Sequence, residues 1–73
     1  MTPVIGGKLD GSQVPARLLQ IEEKGETYML ISFKEKIGDT VVTRSFYMLC
    51  NGPTIEQAMK TYKERAKRDL WGN

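Results

Sequence analysis

Histidine is absent from the chain, and cysteine occurs once, as Cys50. Without histidine, the side chain most often used for proton transfer near neutral pH is missing. Together the two shortages remove the thiolate and imidazole sets that hold zinc, so neither a metal nor a cofactor is expected. A lone cysteine also excludes an internal disulfide, and with it the small secreted scaffold stapled by bridges. No run approaches the roughly 20 apolar residues of a membrane span. The N-terminus lacks the charged start and apolar core of a secretory signal. The chain therefore reads as cytoplasmic, with no membrane association.

Strong charge of either sign is missing too. Eleven Lys and Arg against nine Asp and Glu leave a formal charge of +2, short of the dense basic footprint of a dedicated nucleic-acid binder. Carboxylates occur as Glu22-Glu23 and Glu35, at hairpin ends where charge solvates turns, and no second pair is placed to oppose them across a cleft. Gly6-Gly7-Lys8 and Asn51-Gly52 do not have the spacing of a phosphate-binding loop and read as turns. Cys50 has neither a histidine nor clustered cations to activate it and reads as a partly buried structural residue. No catalytic constellation remains, so an enzyme is not expected.

What the 73 residues do contain is apolar sheet. A chain of this size buries barely enough surface to offset the entropy of ordering it. Hydrophobic content of 40% with 27% charged residues is nevertheless that of a folded domain. It begins with Met1, ends at Asn73 without an obvious tag, and reads as a complete small gene product of a kind that suits a phage or mobile element. Residues 1–15, rich in Gly and Pro, read as an irregular arm. Within the arm, Val4, Ile5 and Leu9 could tuck against the remainder, with Val4-Ile5 as a short added strand.

Residues 16–73 read as one β-β-β-α domain, an α+β fold. Strands are expected over Ala16 to Glu23, Thr27 to Lys36 and Thr40 to Leu49. Gly38-Asp39 fits a two-residue turn with glycine first. Counting outward from it pairs Ile37 with Thr40, Ile31 with Phe46, Met29 with Met48, Leu30 with Tyr47 and Tyr28 with Leu49. For the first hairpin a three-residue loop, Glu23 to Gly25, puts Leu19 and Ile21 beside Met29 and Ile31. A two-residue loop at Lys24-Gly25 would reverse that. Thr54 and Gln57 form a capping box after Pro53, and Ile55, Ala58, Met59, Tyr62, Ala66 and Leu70 form one apolar helical stripe ending near Gly72. The expected core is Leu19, Ile21, Met29, Ile31, Phe33, Phe46 and Met48 under Ile55, Met59, Tyr62 and Leu70.

The result is a three-stranded antiparallel sheet, apolar on both faces, with one C-terminal helix packed across a face. The uncovered face carries Leu18 and the four residues Tyr28, Leu30, Tyr47 and Leu49, and its exposure would invite association. These four residues, with Trp71 as an aromatic anchor near the chain end, are the expected protein interface. They point to a small non-enzymatic interaction module, a regulator or inhibitor that binds a protein partner or forms a homodimer. Over about Ala16 to Leu70 the order of three antiparallel strands and a helix resembles, in topology, the arm-type DNA-binding domains of tyrosine recombinases. Less closely, it resembles the latter part of double-stranded RNA-binding domains. That resemblance implies nucleic-acid binding as the alternative, and the cluster of Lys60, Lys63 and Lys67 on one side of the helix's polar face would make it weak and phosphate-directed. Glu56, Glu64 and Asp69 dilute the helix charge, and Tyr28, Leu30 and Leu49 dilute the basic strand face the resemblance would require.

Overall fold

The computed structural model describes residues 1–67. Among them lie β1 (Thr2–Ile5), β2 (Gln13–Val14), β3 (Gln20–Glu23), β4 (Glu26–Ile37), β5 (Thr40–Leu49) and the helix α1 (Ile55–Lys67). The α+β class and the single helix match the expectation, but the sheet has five strands rather than three, in the order β2-β1-β5-β4-β3. It is also mixed. The arm read as irregular supplies β1, which runs parallel to β5 with Val4 opposite Tyr47 and Ile5 opposite Met48. β2 then returns antiparallel along the outer side of β1.

The β4–β5 ladder has the expected register, from Ile37↔Thr40 to Tyr28↔Leu49. Gly38 at φ 61° is the left-handed first residue that its turn needs. In the first hairpin the two-residue alternative holds: Glu23 pairs with Glu26 and Ile21 with Tyr28. Lys24 and Gly25 both adopt positive φ, 53° and 78°, the pattern of a type I′ turn whose twist matches that of the strands. Ile21 therefore lies on the face of Tyr28, away from the helix. Leu19 leaves the expected core and is 79% exposed.

The helix begins where the capping box places it. The Thr54 amide donates to Gln57 Oε1 at 3.0 Å, and the Gln57 amide donates to Thr54 Oγ1 at 3.2 Å. Its inner stripe closes over Ile5, Phe46 and Met48 with Ala58 and Tyr62, flanked by Ile31, Phe33 and Met59. Tyr62 stacks on Phe46 with ring centroids 5.4 Å apart, and Phe33 meets both rings edge-on. Ile5 and Ala58 thus take core places expected of Leu19 and Ile55, while Ile55 and Met29 are exposed. Leu70, Trp71 and Gly72 lie outside the described residues.

Tyr28, Tyr47 and Val4 form a second buried cluster on the opposite face, packed by Leu9, Val14, Ile21, Leu30 and Leu49. The molecule therefore has two small cores, one on each side of β5. Phe46→Ala should lose about 3 to 5 kcal/mol, much of the stability of so small a protein. Tyr47→Glu should unfold the chain, because it buries a charge in the second core, whereas Leu19→Ala should leave urea unfolding nearly unchanged. Denaturation monitored by circular dichroism checks all three.

Candidate interaction site

The second core explains why most of the face expected to be bare is covered. From β1 the chain turns through Gly6 and Gly7, and the Val4 amide and carbonyl bond Ser12 and Gly11 across the turn at 2.9 and 3.0 Å. Leu9 and Val14 are thereby laid over Tyr28 and Tyr47. The arm is tied down by polar bonds that composition alone does not reveal. The Tyr28 hydroxyl accepts from the Leu9 amide at 3.2 Å and donates to Glu26 Oε1 at 2.9 Å. That same carboxylate oxygen accepts the Lys8 amide at 2.7 Å. The Lys8 amide first, and then the Tyr28 hydroxyl, hold the Glu26 carboxyl below its ordinary range. Burial pushes the Tyr28 hydroxyl up.

Gly7 sits where these bonds converge. Its φ is 67°, and a Cβ at that position would lie 2.5 Å from the Tyr28 hydroxyl and 2.7 Å from Glu26 Oε1. At the far side of the turn, both carboxylate oxygens of Asp10 accept from the Arg65 guanidinium, at 2.9 and 3.0 Å. One of them also accepts the Gly6 amide at 2.8 Å. The helix and the arm are thus clasped by a forked ion pair.

Beyond the arm, the segment between β2 and β3 crosses the same face, held by the Tyr47 hydroxyl, which donates to the Leu18 carbonyl. It does not close the face completely. A solvent-open recess of about 330 Å³ remains, lined by Leu9, Val14, Pro15, Arg17, Leu18, Ile21 and Glu23. Leu18 is 61% exposed beside it. The recess lies under β3, the last strand of the sheet, and among the described residues no strand lies along the outer edge of β3. No family model, curated protein or solved structure matches the chain. The site's meaning has to come from its own geometry.

The residues expected to form an interface divide. Tyr28 and Tyr47 are fully buried by the chain's own arm and present no surface. Leu30 and Leu49 are half-buried against the same cluster, and Trp71 lies outside the described residues. The apolar surface has moved from the middle of the face to its β3 side, where Leu9, Val14 and Pro15 came from the arm and Leu18 from the start of the first expected strand, which begins only at Gln20. The apolar character of Val4, Ile5 and Leu9 in the arm was the available signal. Lys60 and Lys63 are exposed on α1, with Lys63 Nζ 5.6 Å from the centre of the Phe33 ring, and Lys67 is the last described helical residue. Among the described residues no group of three or more carboxylate or cysteine side chains is placed to hold a metal ion, and no helix is long and apolar enough to cross a membrane.

The clasp has a pH signature. Hydrogen bonding from Arg65 holds the Asp10 carboxyl below its ordinary value of 3.8, against a smaller opposing effect of burial. The unfolded chain thus takes up the proton first, so the clasp contributes fully above that value and its contribution is lost as the pH falls below it. Asp10→Asn should cost no more than about 1 kcal/mol at neutral pH, because the pair is largely solvated. It should also flatten the acid limb of stability, leaving the part due to Glu26. Urea midpoints measured across the acid range check this.

Proposed function

We propose that the chain is a non-enzymatic protein-interaction module that receives an extended segment of a protein partner along the β3 edge, with an apolar side chain in the adjoining recess. One observation carries the reading: an open apolar recess of about 330 Å³ lies beneath β3, whose outer edge no strand covers among the described residues. An extended peptide added to a sheet gains main-chain hydrogen bonds from the edge and selectivity from pockets for its alternate side chains. Both elements are present here, and Ile21 and Glu23 of β3 line the recess. Arg17 and Glu23 in its lining offer one charge of each sign, enough to orient a segment without requiring a charged partner.

The nucleic-acid alternative through Lys60, Lys63 and Lys67 draws no comparable support. Lys63 lies over an aromatic ring, and Glu56 and Glu64 share the exposed helix surface with Lys60.

A displayed random-peptide library selected against the full chain tests the proposal. The expected result is enrichment of sequences with alternating apolar residues, whose binding shifts the NMR signals of Leu9, Val14, Leu18 and Ile21. Leu18→Asp, at an exposed position that leaves both cores intact, should weaken them by roughly tenfold or more, the worth of one apolar anchor. Absence of enrichment, or shifts confined to the helix, would refute it.

A further inference from the structure

The edge that receives a strand is itself a strand, and its sequence is suited to pairing with its own copy. From the ladder it is clear which backbone groups are on offer. The Thr27 carbonyl accepts from the Cys50 amide on the β5 side, so Glu22, opposite Thr27, directs its N–H and C=O outward. The Leu30 amide donates to the Leu19 carbonyl at 2.8 Å, so Leu19 and Ile21 point inward and Gln20, like Glu22, points outward. The free edge therefore carries two donors and two acceptors, on Gln20 and Glu22.

We infer that β3 pairs antiparallel with β3 of a second copy of this chain, about a two-fold axis through Ile21, joining two five-stranded sheets into one. The inference rests on the reading of the β3 edge as a strand-receiving site and names its occupant. In this register Gln20 of each copy faces Glu22 of the other, and the four outward groups of one edge meet the four of the other in two hydrogen-bonded pairs. Each Gln20 side-chain amide lies opposite a Glu22 carboxylate, so the side chains are complementary as well. Ile21 lies opposite Ile21, on the recess face of both copies, and brings the two apolar recesses together. Leu18 and Leu19, 61% and 79% exposed in the single chain, flank the seam. Register is constrained by charge: moving the axis to Glu22 would set Glu22 against Glu22, and a two-fold axis perpendicular to the sheet allows only like-faced residues to oppose each other. The longer free edge of β4 lacks this property. Centring its self-pairing on Glu35 opposes Glu35 with itself and Lys34 with Lys36, while centring on Lys34 opposes two lysines.

The test combines light scattering with directed cross-linking of the full chain. The expected result is a concentration-dependent dimer. In a Cys50→Ser background, which removes the exposed native thiol, Ile21→Cys should cross-link between copies under oxidised glutathione. The non-hydrogen-bonded pair at the axis brings the two Cα atoms to about 4.5 Å, within disulfide range. Gln20→Pro, which removes an outward N–H and leaves the β3–β4 ladder its inward groups, should give a folded monomer. A dimer that survives Gln20→Pro, or one in which Ile21→Cys does not cross-link, overturns the inference. A chain that stays monomeric at all concentrations overturns it too. If such a monomer still captures extended peptides at the recess, only the identity of the occupant has failed. If it captures none, the strand-receiving site has failed as well.

Discussion

Two adjacent residues, Val4 and Ile5, hold the structure together. Set parallel beside Tyr47 and Met48, they point to opposite faces of the sheet, as consecutive strand residues must. Ile5 enters the core beneath the helix and Val4 enters the core beneath the arm, both almost fully buried. Fully burying a side chain of this size contributes about 1.5 to 3 kcal/mol, so the pair supplies a large fraction of what a protein of this size can be worth. Neither core could close without the strand that carries them.

The polar contacts play a different part. The Glu26 carboxylate, the Tyr28 hydroxyl and the amides of Lys8 and Leu9 form a short network that satisfies backbone groups where the arm turns. The Asp10–Arg65 fork does the same between the arm and the helix. Solvent screens the ion pair, and a hydrogen bond contributes only about 1 kcal/mol net, so their individual contributions are small beside the apolar burial. Their effect is to choose one path for a glycine-rich segment that could otherwise follow many. Placing the arm over Tyr28 and Tyr47 leaves a recess on the β3 side, and it is this path that moves the candidate interface from the centre of the sheet to its edge.

Local patterns made part of this legible. The Gly38-Asp39 turn and the alternation on either side determined the β4–β5 register, because each residue's partner follows by counting. The Thr54–Gln57 box and the stripe from Ala58 to Tyr62 located the helix for the same reason: all their contacts lie within a few residues. The β3–β4 loop was ambiguous because Lys24 occupies a left-handed conformation that its side chain does not favour, so only Gly25 announced itself. The arm could not be read in the same way. Its pairing joins residues 4 and 47, and a two-residue alternation inside a Gly/Pro-rich stretch carries no mark of a distant parallel neighbour. The exposed apolar surface followed the arm: once β1 and Leu9 occupied the face, Tyr28 and Tyr47 became core, and the apolar surplus appeared at Leu18 and its neighbours.

The crowding at Gly7 reaches beyond this one molecule. A side chain there would collide with the Tyr28 hydroxyl and the Glu26 carboxylate and would have to adopt a left-handed backbone as well. Positions 7, 26 and 28 are therefore not free to drift separately: a homologue that has lost the glycine must also have lost the hydroxyl, or rerouted the arm. This three-position covariation is the fingerprint by which distant kin would be known. It would also mark which of them had kept a closed second face.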